Sequence, residues 1–533
     1  MDRAVYNVLA QKFAAGLFDG QLPDPAARGS IYTPASRALA RRASAEGAVL
    51  LRNTGLLPLN LSAIRTLAVI GPNSGCAPPN SSASAGCTFS PGTDCPGNDL
   101  QKVANVSTPA ACCALCAALP SCLTAVLATD QSQCLLKSAC PLRQPLASRV
   151  ACDPGKPPPP PSPWTCPAMR GMLGGYSNLE QAGDALEDNH AHVVTVLEAA
   201  QAAAGASGGA WGVTWAQGVQ QSGSDTSGIA PAAALAAAAD AVVLVLGDGG
   251  ESTGYDSSVS CGEGADRPSL DLPGQQLALL QAVLATGTPV ALLLFHGRPV
   301  TFGTDYGGSA VSAFGGQGVA PLDARVGALL AAWRPGCEGG GGMWDLLTGA
   351  ASPSGRLAQS WPVAVGGLRV GGLSPGYIKF SDQGGAGWTL GAPFAPNYPL
   401  GHGLDYLGVS FGASSAAVDV AGGVVSVSVT LHNAAPRGGG YVVQVYFMQH
   451  LSRYTRYHLQ LGGFEKLWVG ASSDTVAVVP VAFADMAYYD PVAKDMVLEA
   501  GDYTVVLCSS LATCDLKGSN AHVVTVPDTV RGL

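Results

Sequence analysis

At 533 residues, with 47% apolar and only 12% charged residues, the chain is long enough for several domains and apolar enough to bury real cores. A formal net charge of −9, without any Lys/Arg block interleaved with aromatics, argues against a nucleic-acid partner. No apolar run reaches the roughly 20 residues that a membrane-spanning helix needs.

In chain order, Val5, Leu9, Phe13 and Leu17 fall at helical spacing and predict one amphipathic helix over residues 2–18. A Pro-containing linker, 20–32, leads to Thr33-Pro34, which reads as an N-cap followed by proline at the first helical position. That helix runs through Ala45, followed by the strand AVLLRN and, after a turn, by IRTLAVIG. Between Gly75 and Cys166 the regular pattern stops. After KPPPPPSPW, an extended polyproline spacer, it resumes. The predicted elements there are helix 193–204, strand 210–219, helix 231–239, strand 242–246, helix 273–285, strand 289–295 and helix 325–333. Strands alternating with helices predict a three-layer α/β sandwich with a mostly parallel sheet. From Leu407 onward the pattern changes to VVSVSVTLHN, GYVVQVYF, DTVAVVPVAF, DYTVVLCSS and AHVVTVP, the signature of an all-β sandwich, with Cys508 and Cys514 placed to bridge a hairpin.

Nine of the 15 cysteines fall between Cys87 and Cys152, with Cys76 and Cys166 just outside. A segment so short and so poor in large apolar residues needs crosslinks, so the block reads as a disulfide framework made in an oxidising, extracytoplasmic compartment. Asn60, Asn80 and Asn105 in Asn-X-Ser/Thr sequons point the same way, weakly. Cys113-x-x-Cys116 admits zinc only as a minor alternative, because no second CxxC or His pair stands at ligand spacing. Met1 nevertheless opens directly on an amphipathic helix, with no charged region and apolar stretch of a signal peptide. The expectation that reconciles the two is that the natural N-terminus lies upstream.

The chemistry concentrates after the apolar run Val242–Leu246, which breaks at Gly247 into a loop holding Asp248, Glu251, Asp256, Glu263, Asp266 and Arg267. In open α/β sheets ligands bind beyond the carboxyl ends of strands, which makes this a candidate catalytic loop. Acidic loops are also ordinary solvated turns, and spacing alone leaves both readings open.

The run Gly262-Glu263, Asp266-Arg267, Leu270, Leu272-Pro273-Gly274 and Gln276 resembles the motif that follows a sheet strand in the second domain of glycoside hydrolase family 3, the β-glucosidases and β-xylosidases. Companion motifs recur in family order: RRASAEGAVLLRNTGLLPL (41–59), LAVIGPNSG (67–75), MLGGYS (172–177), TGTPVALLLFHGRPV (286–300), AWRPG (332–336), SPSGRLAQSWP (352–362) and YPLGHGLDY (398–406). The resemblance implies four regions. Residues 1–32 are similar to the end of the family's N-terminal (β/α)8 barrel and its linker, the rest of the barrel being expected upstream. Residues 33–75 and 167–406 form the α/β domain, and 76–166 an insertion that resembles a PAN/apple module through Cys112-Cys113, Cys116, Cys122 and CLLKS, although LTAVLA replaces the usual aromatic stretch. Residues 407–533 resemble the family's fibronectin type III-like domain, LGGFEKLWV at 461–469 above all.

What the resemblance implies chemically is retaining cleavage of a terminal β-glycoside in an oligosaccharide or polysaccharide, without a metal or organic cofactor. Such cleavage uses two carboxyls, one a nucleophile and one an acid that then serves as base. In the resembled family the nucleophile is a barrel aspartate, so this chain by itself is expected to be catalytically incomplete. The acid/base is a glutamate of the loop. Glu263 is the first choice, because GEGADR directly precedes the LPGQQ helix, and Glu251, nearer the strand end, is the second. Asp266 and Arg267 read as an ion pair that fixes the loop. His296 and Arg356 read as structural, Trp333, Trp344 and Trp361 as core aromatics before sugar platforms, and GDGG lacks the spacing of a dinucleotide site. The rival reading is a binding protein in which the insertion takes a glycan or protein ligand, without catalysis.

Overall fold

The structure is a computed structural model that describes residues 2–19, 32–76, 87–94, 99–104, 106–117, 124–137, 144–154, 167–174, 193–249, 260–261, 267, 269–303, 322–362, 396–454 and 456–533. Helix α1 (Asp2–Ala14) forms where the spacing places it, and Val5, Leu9, Phe13 and Leu17 all stay exposed. Helix α2 (Pro34–Gly47) begins as its sequence dictates: Thr33 is extended and its hydroxyl accepts the Ser36 N–H at 3.1 Å, with proline in the first turn. Strands β1 (Val49–Asn53) and β2 (Thr66–Ile70) follow.

The cysteine-rich segment folds as its own unit. Strands β3 (Cys87–Asp94), β4 (Asp99–Ala104), β5 (Thr124–Ala128), β6 (Gln133–Lys137) and β7 (Gln144–Pro154) make an antiparallel sheet in the order β3-β7-β5-β6-β4, with α3 (Pro109–Ala117) beside it. A Cys112–Cys134 disulfide ties α3 to β6 over a small separate core that includes Val106, Cys116, Leu127 and Leu136. Cys116 is itself disulfide-bonded, so it is no thiolate for zinc.

The α/β domain continues with α4 (Pro167–Leu173), α5 (Val196–Ala206), β8 (Gly212–Ala216), α6 (Ile229–Ala237), β9 (Ala241–Gly247), α7 (Gln276–Ala285), β10 (Val290–Phe295), β11 (Ala328–Trp333) and α8 (Gly339–Thr348). Its sheet runs β1-β11-β10-β9-β2-β8, parallel throughout except for the antiparallel pairing of β1 with β11. Alternation along the strands divides the core in two. Val243, Val245, Leu293 and Leu330 pack with α5 and α8 on one face; Val242, Leu244, Leu292 and Leu294 pack with α6 and α7 on the other. The domain is therefore three-layered, and strands covered on both faces carry the unbroken apolar runs seen in the sequence.

One element differs from expectation. Residues 325–333, expected as a helix, hold strand β11, inserted between β1 and β10. ALLAAW has helix-forming composition but no polar face, and a site buried on both sides selects the strand over local propensity. The helix of that unit is α8, whose GGGG start conceals it. Those glycines are there for contact: a Cβ on Gly340 would lie 2.2 Å from the Thr195 backbone, and one on Gly342 1.8 Å from Ser44 Oγ.

The C-terminal domain contains β12 (Val409–Asp419), β13 (Val424–Asn433), β14 (Gly439–Gln449), β15 (Gln460–Val469), β16 (Ser473–Ala482), the short α9 (Phe483–Met486), β17 (Tyr488–Asp490), β18 (Asp495–Leu498), β19 (Gly501–Cys508), β20 (Ala521–Val526) and β21 (Val530–Arg531). The sheets β12-β13-β16 and β15-β14-β19-β20 face each other across Val427, Val429, Val445, Phe447, Val479 and Val505. A disulfide joins Cys508 to Cys514 across the turn after β19. At the junction with the α/β domain, Arg356 pairs with Asp405 at 3.0 Å and lies over the Tyr441 ring, while Gln444 donates to the Gly401 carbonyl at 3.0 Å.

Candidate active site at the strand ends

Strands β2, β8, β9, β10 and β11 are parallel, so their carboxyl ends share one edge of the sheet. From β2 the chain winds outward to β8 and then crosses to β9 on the other side of β2. The reversal opens a crevice between the loops that leave β2 and β9. The buried polar side chains at these ends include Asn73 after β2, Asp248 after β9 and His296 after β10. Arg334, which follows β11, joins them.

Gly247 makes the break after β9 possible. Its φ is +129°, and a Cβ there would sit 1.9 Å from the Phe295 carbonyl oxygen. Gln276 fixes the strand end from α7: its Oε1 accepts the Gly247 N–H and its Nε2 donates to the Gly247 carbonyl, both at 2.8 Å. The same Nε2 donates to the Gln221 carbonyl at 2.8 Å, and the Gln221 side chain donates to Asn73 Oδ1, so the motifs at 67–75 and 272–276 lock together across the crevice.

Asp248 is fully buried and accepts from Arg267 Nη1 at 3.1 Å. Arg334 Nη1 donates to the Asp248 and Gly171 carbonyls, each at 3.0 Å. Burial pushes the Asp248 carboxyl above its usual range, against the opposing pull of Arg334, Arg267, Arg298 and the Cys261 thiol. That weak thiol contact aside, Asp248 Oδ2 has no hydrogen-bond partner among the described residues. Arg267 also donates to the Asp271 carbonyl, and Asp271 in turn accepts from Thr301 Oγ1 at 2.6 Å and Gly303 N at 2.8 Å.

Glu251, Glu263 and Asp266 lie outside the described residues. The points from which their segments spring are fixed. Gly249 donates to Ser260 Oγ at 2.8 Å, closing the base of the stretch that carries Glu251, and Arg267 on Asp248 anchors the far end of the stretch that carries Glu263. The described residues that flank both stretches, Gly249, Ser260 and Arg267, are thus held at the end of β9. Arg267, expected to pair with Asp266, has Asp248 as its described acidic partner.

His296 is completely buried between Trp333 and Trp361, with ring centroids 4.7 and 5.1 Å away. Its Nδ1 donates to the Arg298 carbonyl at 2.7 Å, and burial lowers its pKa to about 3, so it stays neutral and serves structure. Trp361 donates to the Val300 carbonyl at 2.8 Å and Trp344 stacks on Trp211 at 5.9 Å, so both are core residues. Trp333, in the left-handed region at φ +55°, donates to the Gly47 carbonyl at 3.2 Å.

A family profile described as the glycosyl hydrolase family 3 C-terminal domain matches residues 48–406, most of the chain. The chain belongs to glycoside hydrolase family 3. A fibronectin type III-like domain profile matches residues 441–511 of this family 3 chain. It is similar to a β-xylosidase of Formosa agariphila, 27% identical over 65% of this chain and 42% of that protein. It is also similar to a β-glucosidase of Rhizobium radiobacter, 29% identical over 55% of this chain and 34% of that protein. It thus spans less than half the length of these curated relatives. Among solved structures, a Listeria innocua β-glucosidase in complex with isofagomine superposes with a TM-score of 0.64 at 22% identity, covering 99% of this chain and 55% of that one. An Erythrobacter marinus β-glucosidase gives 0.63 at 23% identity, with 98% and 55% covered. At this identity the superposition establishes a shared fold.

Sequence reasoning did not single out Asn73, Gln221 or Arg334. The available signal was position: each is a polar residue shortly after an apolar strand, in a segment that must reach the same sheet edge. The pairing of Asp248 with Arg267, 19 residues apart, is a tertiary contact that no spacing rule announces.

Proposed function

We propose that this family 3 chain supplies the acid/base half of a retaining, exo-acting β-glycosidase of the β-xylosidase or β-glucosidase type, acting on terminal sugars of oligosaccharides or cell-wall polysaccharides. The observation that carries the reading is that the described residues bounding the 250–266 stretch are held at the end of β9, Gly249 on Ser260 and Arg267 on the buried Asp248. The names of the curated relatives support the substrate class. Glu263 is the acid/base in this reading, Glu251 the alternative, and the nucleophile is an aspartate contributed by a barrel. An acid so placed holds its proton near neutral pH when sugar and protein exclude water from it. The cysteine-rich insertion is a PAN/apple-like module that takes a glycan or protein ligand; its separate sheet and core and its Cys112–Cys134 bridge support an independent unit. Its disulfides support an extracellular or cell-wall location.

The test is hydrolysis of aryl β-xylosides and β-glucosides by this chain joined to a family 3 barrel, comparing Glu263→Gln with Glu251→Gln. The acid/base variant should lose about 10²- to 10⁴-fold in kcat, with azide restoring turnover of an activated substrate. Undiminished activity in both variants would reject the assignment. Glycan binding that survives both substitutions but not deletion of residues 87–152 would favour the binding reading.

A further inference from the structure

Where the α/β domain meets the C-terminal sandwich, one face of α2, the turn after α8 and the β14–β15 hairpin enclose a cleft of about 640 Å³. That volume lies within the range of small-ligand sites, roughly 300–1,000 Å³. None of its lining residues is among those described at the strand ends. Its wall carries Trp468 near the end of β15, 71% exposed. The exposure has a local cause: Trp468 stands opposite Gly440 on β14, so the ring has no cross-strand side chain to pack on. Lys466, two residues earlier on β15, projects from the same face, while Leu467 turns into the sandwich core.

Charge gives the cleft a sign. Among the described residues, Arg41, Arg42, Arg437 and Lys466 line it against Glu46 and Asp345, so four cations face two carboxylates on a chain whose net charge is −9. Arg41 is committed to Asp345 through two bonds of 2.7 Å. Arg42 and Lys466 share a single carboxylate, Glu46, at 3.6 and 2.7 Å. Arg437 lies over the Tyr406 ring and donates to the Gly349 carbonyl at 3.1 Å, with no carboxylate partner among the described residues.

We propose that this interdomain cleft binds an acidic saccharide, one face of a uronic-acid ring stacking on Trp468 and its carboxylate taken by Lys466, Arg42 and Arg437. An exposed indole offers a flat apolar face to the C–H face of a pyranose, and guanidinium and ammonium groups supply charge-assisted donors to a carboxylate. A neutral sugar would use the ring alone and leave the surplus positive charge without a function. The site lies outside the catalytic reading and does not depend on it.

The test is titration calorimetry of this chain with trigalacturonate, using xylotriose as the neutral comparison. Trigalacturonate should bind, Trp468→Ala should weaken it at least about tenfold, and Trp468→Phe should retain most of the affinity, since a ring is what stacking requires. Lys466→Gln should weaken it too, as should raising NaCl to about 0.5 M, because the cleft is open to screening. Thermal melting of each variant controls for folding, and at an exposed position Trp468→Ala should leave it unchanged. Absence of trigalacturonate binding, equal affinity for xylotriose, or binding indifferent to Trp468→Ala would each overturn the proposal.

Discussion

Replacing Arg267 by methionine removes a guanidinium while keeping much of the apolar stem, and leaves Asp248 buried with a weaker set of counter-charges. At the observed 3.1 Å, the gross attraction is about 5 kcal/mol at an effective dielectric near 20. Desolvation opposes it, so the net quantity is the cost of stranding the carboxylate, about 3–5 kcal/mol for a buried pair. The lower end, about 3 kcal/mol, is expected, because Arg334 and Arg298 still act on Asp248. The loss must also depend on pH. The folded Asp248 carboxyl already holds its proton more tightly than an unfolded one, so its ionisation lowers stability as pH rises above the ordinary carboxylate range. Without Arg267 the folded value rises further and the penalty grows with pH. Urea unfolding of the transition that contains the α/β domain, followed at pH 5 and pH 8, should show the larger deficit at pH 8. Asp248→Asn combined with Arg267→Met should recover part of it, a coupling of about 2 kcal/mol. Equal deficits at the two pH values, or strictly additive single and double variants, would refute the reasoning.

His296, held neutral with its pKa near 3, gives stability that is complete above about pH 6.5 and drains away as pH falls, because the unfolded imidazole then takes up protons that the folded one refuses. Between pH 8 and pH 5 the wild type should lose about 2 kcal/mol that His296→Gln does not, measured by chemical denaturation. Gly247→Ala forces a Cβ against the Phe295 carbonyl in a backbone region that alanine avoids; a melting temperature within a degree of wild type would contradict that clash. Leu293→Ala removes a fully buried side chain from the central parallel strands and should cost about 2–5 kcal/mol, read from the denaturation midpoint of the α/β domain. Removing the Cys508–Cys514 bridge with Cys508→Ala and Cys514→Ala closes no long loop, only 6 residues apart, so its effect on the sandwich's melting should be smaller than removal of Cys112–Cys134, 22 residues apart, has on the insertion.

Much of the fold was legible because local pattern and burial agree in most elements. Thr33-Pro34 opens α2, the unbroken apolar runs become strands covered on both faces, and the alternating segments after 407 become the sandwich with Val427, Val429 and Val479 turned inward. The motif order likewise pointed to family 3 before any contact was known. Local pattern failed at ALLAAW, whose place between β1 and β10 is decided by neighbours contributed from residues far away in the chain, and at the glycine run of α8, which exists to let α2 and the Thr195 backbone approach. The tertiary structure alone decided that Asp248 pairs with Arg267, that Gln276 grips the end of β9, and that Trp468 faces open space opposite Gly440. Such facts depend on which strand ends share an edge and which side chain lies across a register. A one-dimensional pattern carries periodicity and composition, but the distance between residues remote in sequence is fixed only when the sheet closes.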